Sequence, residues 1–168
     1  LAGDQLPYRF TPPAGWVSFT APSVDAAWVL KSQKDTESKT TTLLVHTKKN
    51  SRPYEFKGPG RERLIDIVQK TRGALLRLTG LKDWTIDESK LEEIQGGKAL
   101  HVRLRGHYIG VKGQPVEFFE RAYFIEDRYY QFSFHQPAQG APVPSGGSKR
   151  LSPADADHLL EGFVPEGL

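Results

Sequence analysis

Between residues 98 and 136 the chain alternates regularly enough to dictate a sheet. Leu100, Val102, Leu104, Tyr108, Val116, Phe118, Ala122, Phe124, Tyr130, Phe132 and Phe134 all hold even positions. Successive side chains of a strand point to opposite faces, so one face is apolar. Gly110 to Gln114 and Asp127-Arg128 divide the run into strands over 98–109, 115–126 and 129–136, an antiparallel meander. Pairing even with even makes that apolar face continuous across the three strands. Glu120 is the exception and needs a partner or an exposed edge. The odd face begins with His101, Arg103, Arg105, His107, Glu117, Phe119, Arg121 and Tyr123. It continues through Tyr129, Gln131, Ser133 and His135, and is cationic and aromatic together.

The rest of the chain reads as shorter strands and two helices. Tyr8 to Thr11, Trp16 to Phe19, Ala26 to Gln33 and Thr41 to Lys48 are rich in β-branched and aromatic residues. Pro12-Pro13-Ala14-Gly15 is a turn, since proline fixes φ and glycine permits positive φ. Residues 60–80 carry Leu64, Val68, Leu75 and Leu78 on one helical stripe, widened by Ile65, Leu76 and Leu81. Gly73 weakens this helix and Gly80 ends it. Trp84, Ile86 and Leu91 continue the period-two pattern up to Gly96-Gly97. Ser152-Pro153 opens a last helix running to about Phe163, with serine as cap and proline in the first turn. Mobile loops are expected at 32–40, 49–60 and 137–150. With 168 residues and no internal repeat, the chain reads as a single domain over 1–168.

Composition excludes several function classes. There is no cysteine, hence no disulfide, thiolate metal site or cysteine nucleophile. No apolar run approaches the roughly 18 residues of a membrane span. Lys and Arg total 23 against 20 acids, and the two signs alternate along the chain rather than forming the stripe of a nucleic-acid binder. The chain begins at Leu1 and has no methionine. Leu1-Ala2-Gly3 resembles the end of a lipoprotein signal, with Asp4 where the lipidated cysteine would stand; a trimmed start accounts for it equally. Membrane contact is expected only through a removed N-terminal anchor.

Phe10-Thr-Pro-Pro-Ala-Gly-Trp16 resembles the F-x-x-P-x-G-W opening of the PsbP-like fold family. The central helix, the acidic strand before Gly96-Gly97-Lys98-Ala99, the meander ending in Tyr129 to Phe134, and the closing helix with Leu159, Leu160 and Phe163 follow in the same order. That family includes the extrinsic photosystem II subunit, DcrB-type bacterial lipoproteins, a Ran-binding import factor and toxin chaperones. The resemblance implies an α+β fold, an antiparallel sheet flanked by helices in a PsbP-like α/β/α sandwich. It also implies a partner-binding module without catalysis. No photosystem metal ligand is matched residue by residue.

The chemistry-bearing residues leave few alternatives. His101 and His107 lie six residues apart on one strand, about 20 Å at roughly 3.3 Å per residue, too far for one metal ion. Neither a metal nor a cofactor is expected. Gly58-Pro59-Gly60 between Lys57, Arg61 and Arg63 precedes a helix, but no G-K-[ST] follows it. Ser133 and His135 share a face, with Glu117 as a third member, and form the only trio a hydrolase reading has to offer. The expected binding surface is Arg103, Arg105, His107, Phe119, Arg121 and Tyr123, where arginines offer charge-assisted hydrogen bonds and aromatics offer stacking. A protein partner or a small anionic ligand is expected there. A periplasmic or secreted domain is the first reading, a cytoplasmic chaperone or adaptor gripping a client helix the alternative, and a hydrolase the third.

Overall fold

The alternating segments become a seven-stranded antiparallel sheet in the computed structural model, which describes residues 6–34, 40–78, 81–142 and 150–168. In chain order the elements are β1 (Tyr8–Arg9), β2 (Trp16–Ser18), β3 (Ala26–Leu30), β4 (Thr42–Lys49), α1 (Pro59–Leu78), β5 (Lys82–Ile94), β6 (Ala99–Ile109), β7 (Pro115–Ile125), β8 (Arg128–Pro137), α2 (Pro153–Glu161) and β9 (Val164–Pro165). The large sheet runs β2-β3-β4-β8-β7-β6-β5, and β1 pairs with β9 in a small second sheet. Leu64 and Val68 of α1 pack on Leu100, Val102, Leu104, Ala122, Phe124 and Tyr129. On the other side Ala156 and Leu160 of α2, with Phe163, pack on Leu43, Val45, Phe119, Tyr130, Phe132 and Phe134. Helices therefore cover both faces, as the expected sandwich requires.

One register differs from the expected one, and hairpin length is the cause. β6 and β7 pair even with even: Leu100 faces Phe124 and Val102 faces Ala122. β7 and β8 pair even with odd: Phe118 faces His135, Ala122 faces Gln131 and Phe124 faces Tyr129. Ile109 and Pro115 close the first hairpin across five residues, which joins positions of like parity. Ile125 and Arg128 close the second across Glu126-Asp127 alone, which joins opposite parity. Glu126 takes φ +53 to make that turn. A shift of one residue moves a whole strand to the other face. Tyr130, Phe132 and Phe134 thus join the α2 side, while Gln131, Ser133 and His135 lie under α1 beside Glu120.

That flip provides for Glu120. It is 1% exposed and pairs with Arg72 of α1, which is 4% exposed. The Gln131 Nε2 donates to both Glu120 oxygens at 3.0 Å, and the Tyr129 hydroxyl donates to Gln131 Oε1 at 3.0 Å. The Arg72 guanidinium also lies 5.2 Å from the Phe118 ring centroid. Burial lowers the Arg72 pKa to about 10, so the group stays charged at neutral pH. Gly73, next along α1, lets the helix approach β5: a Cβ there would lie 2.7 Å from the Trp84 ring. Gly106 does the same at the β5 irregularity, where a Cβ would lie 2.1 Å from the Thr85 carbonyl oxygen.

The segments expected to be loops are partly anchored. Gln33 is fully buried, accepts from the Thr41 N–H at 3.2 Å and donates to the Thr41 hydroxyl at 3.5 Å. The Asn50 and Tyr54 N–H groups donate to the Asp127 and Glu126 carbonyls at 2.7 and 2.8 Å. Ala138 is buried and donates its N–H to the Pro115 carbonyl at 3.0 Å. The remainder of the first and third expected loops, 35–39 and 143–149, lies outside the described residues. So do Leu1 to Asp4, Gly80 and the side chains of Leu75, Leu76 and Leu78.

Breaking the buried pair from one side leaves an uncompensated charge in a low-dielectric site. Glu120→Gln or Arg72→Met should each lower unfolding free energy by about 3–5 kcal/mol in urea denaturation. The double replacement Arg72→Met/Glu120→Gln should be milder than the sum, because no lone charge remains.

Candidate functional site

Four of the six residues expected to form a binding face are already committed within the chain. Phe119 is 2% exposed, inside the core beneath α2. Arg121 is 3% exposed, and its Nη2 reaches the Asp157 carbonyl and Oδ1, both at 3.3 Å, and Glu161 Oε1 at 3.6 Å. Tyr123 stacks on the His101 ring at 4.5 Å between centroids. His107 Nδ1 contacts the Asp87 carboxylate. The face is also less cationic than its own strands suggest, because β5 lies alongside with Glu88 opposite Arg105 and Glu92 opposite His101. Of the three arginines expected on this face, Arg103 and Arg105 have no ion pair among the described residues, and Arg105 lies 5.7 Å over the Phe119 ring.

The trio of the hydrolase reading is split by the register of β8. The Ser133 Oγ does meet His135 Nε2 at 3.0 Å, but both are buried under α1 at 3% exposure. The other partner of that imidazole is the Tyr108 hydroxyl, 2.8 Å from Nδ1, where the trio would need Glu117. Glu117 lies on the opposite face, where it accepts from Gln136 Nε2 at 2.6 Å and pairs with Arg150. Burial, reinforced by Arg72, holds the His135 pKa well below its usual value. A neutral imidazole that no substrate can reach does not activate a serine. The glycine turn before α1 is filled by the chain itself, since Glu55 lies against Gly60. Among the described residues no three His, Asp or Glu side chains are grouped to hold a metal ion.

A pocket that the strand pattern does not announce lies at the other end of α2. It measures about 490 Å³ and is bounded by Pro13, Ala14, Trp16, Leu30, Phe134, Leu151 and Leu159, with Pro137 beside them. The N-terminal turn forms one wall and the start of α2 the other. Gln136, Arg150, Thr41, Asp155 and His158 on its lining each have at least one partner within the chain. Gln136 Nε2 donates to the Leu151 carbonyl at 2.8 Å as well as to Glu117, and its Oε1 accepts from the Leu151 N–H at 2.9 Å. Arg150 pairs with Glu117, and Thr41 with Gln33. Asp155 accepts from the Ser152 hydroxyl at 2.9 Å, and His158 faces Glu161 at 3.5 Å. The Pro13 and Trp16 turn was visible in the sequence. Its apposition to Leu159 was not, because it requires β2, β3 and β4 to be laid beside β8.

No protein-family model matches this sequence, and no curated protein matches it. Solved structures do share its fold. One is a crystal structure from Bacteroides thetaiotaomicron VPI-5482, at TM-score 0.52 and 11% identity over 95% of this chain. This chain spans 45% of that protein's length. Another is the solution structure of cyanobacterial PsbP (CyanoP) from Synechocystis sp. PCC 6803, at TM-score 0.50 and 13% identity, covering 78% of this chain and 75% of that one. The fold is therefore PsbP-like, as the opening motif and element order implied.

Two buried histidines give the fold a pH dependence. Burial, with Arg121 and Arg103 nearby, lowers the His101 pKa to about 4 against the opposing pull of Glu92. His135 is lowered further by burial and Arg72. Unfolded imidazoles take up protons near pH 6.5. Below that pH the unfolded chain binds more protons than the folded one, so stability is full above about pH 6.5 and falls on acidification. Each histidine should contribute a slope that is about half of 1.4 kcal/mol per pH unit at pH 6.5 and approaches that limit between roughly pH 5 and 5.5. Urea unfolding over that window should show the slope, and His101→Gln should reduce it by about one proton's worth.

Proposed function

We propose that this protein is a non-catalytic, extracytoplasmic binding domain that engages a protein partner through the apolar pocket beside α2. The observation that carries the reading is the mainly apolar wall of that pocket, built from Trp16, Leu30, Phe134, Leu151 and Leu159. A small polar ligand needs a few free donors or acceptors to orient it, and here Thr41, Gln136, Arg150, Asp155 and His158 all have partners within the chain. The pocket mainly offers apolar surface, from Trp16, Leu30, Phe134 and Leu159. A pocket of about 490 Å³ accepts one or two large apolar side chains presented by a partner. The absence of catalysis is supported by the inaccessibility of the Ser133–His135 pair. Location outside the cytoplasm is part of the proposal, and the cysteine-free composition is compatible with it and with a cytoplasmic site alike. CyanoP, with the same fold, is a cyanobacterial PsbP. A client helix in a cytoplasmic chaperone would dock in the same pocket, so compartment is the point that separates the two.

The test places a photo-cross-linking residue at Ala14, on the pocket wall, and for comparison at Ile67, which is 40% exposed on α1. The expected outcome in the native host is an adduct specific to Ala14, joined to a partner segment bearing Leu, Ile, Phe or Trp. That segment, made as a peptide, should bind the purified protein. Exchange of its apolar residue for serine should weaken binding about 10- to 100-fold, as burial of such a side chain predicts. Equal adducts at Ala14 and Ile67, or no adduct, would overturn the assignment. A small molecule retained in native mass spectrometry would replace the partner by a ligand.

A further inference from the structure

Arg103 and Arg105 are two residues apart on β6 and project toward α2 from one face. Arg103 stands directly opposite Arg121, and Arg105 opposite Phe119. Like charges in direct cross-strand positions repel. Arg121 is relieved by Asp157 and Glu161, whereas Arg103 makes no close ion pair and feels Glu92 only at longer range. The Nε of both Arg103 and Arg105 is buried without a hydrogen-bond partner, as is that of Arg61, Arg72 and Arg121; what sets Arg103 and Arg105 apart from Arg61, Arg72 and Arg121 is that they also lack a close ion pair. Both side chains are half-buried, so the guanidinium groups keep donors open toward the cleft. These two side chains border a cleft of about 70 Å³, completed by Glu88, Leu104, Phe119, Asp157 and Pro153 in the first turn of α2. Two carboxylates share the lining. Asp157 already serves Arg121, and within the cleft Glu88 is the remaining carboxylate beside the two guanidinium groups, with Glu92 acting on Arg103 from outside it.

We propose that Arg103 and Arg105 bind one anionic group, a carboxylate or a phosphate, in this cleft. The volume admits a single such group and excludes a nucleotide. Guanidinium is the side chain suited to it, since its planar donors match carboxylate and phosphate oxygens. The cleft and the apolar pocket lie on opposite flanks of α2: Pro153 and Asp157 border one, Asp155, His158 and Leu159 the other. This site does not depend on the pocket reading and has its own ligand chemistry.

The probes are sodium phosphate, sodium acetate and an aspartate-containing peptide, titrated at constant ionic strength while the arginine Nε–H resonances are followed by NMR. A saturable shift confined to Arg103 and Arg105 is expected. Arg103→Gln and Arg105→Gln should each weaken it at least fivefold with an unchanged melting temperature. Saturation by phosphate or acetate identifies a free small anion, and saturation by the peptide alone identifies an acidic side chain of a partner. No saturable shift with any probe, or an equal shift at the exposed Arg52, would overturn the site.

Discussion

The Arg72–Glu120 pair fixes what each side of the sheet is for. A carboxylate on the inner face of a central strand is tolerable only with a charged partner and further hydrogen bonds. Arg72 brings the charge from α1, and Gln131 brings two donated bonds from the neighbouring strand. That arrangement holds only if α1 lies over β7 and if β8 presents its odd residues to the same side. It therefore fixes the position of the long helix and one strand register together. With the polar residues of β8 drawn under α1, its phenylalanines are left to face α2. The aromatic layer of Phe132, Phe163 and Phe10, with ring centroids at 4.7 and 3.6 Å, follows from that division.

Most of the architecture was legible because periodicity is a local property. The three meander strands, both helices and the capping serine at α2 lie within a residue or two of where spacing and turn residues put them. The register of β8 was legible too, though by a different rule from the one applied. An interval of two residues between Ile125 and Arg128 obliges opposite parity, whereas apolar alternation alone favours like parity. The alternation pattern won in the reading and the turn won in the structure. Arg72 left a comparable trace, since it stands four residues after Val68, on the apolar stripe of α1. One misplaced charge on a helix stripe and one on a sheet face are each anomalies; together they specify a contact.

The binding face was less legible, because side-chain type says nothing of what an adjacent element does to it. Six residues with suitable chemistry were aligned on two strands, yet burial by α2 removes Phe119 and Arg121 from solvent. Acidic residues of β5 offset much of the charge. That strand looked like a solvated acidic segment when read alone. Placed beside β6 it becomes the counter-charge of the same surface. The apolar pocket was hidden for the complementary reason: its walls come from residues 13–30, 134–137 and 150–159, and no local pattern joins them.

α2 decides the geometry of both candidate sites, and a helix of nine residues is too short to hold itself in place. Its start is set by Ser152, whose hydroxyl accepts from the Asp155 N–H at 3.2 Å. Its buried side is set by Ala156 and Leu160. Its rotation about its own axis is set by Arg121, which reaches from the sheet to Asp157 and Glu161, one turn apart. This is the arginine that residue type alone would assign to a ligand. Buried and paired as it is, Arg121 is a positioning residue: it keeps Pro153 and Asp157 against the cleft of Arg103 and Arg105, and Leu159 against the apolar pocket. The cation that holds α2 over both candidate sites is thus one that neither site exposes.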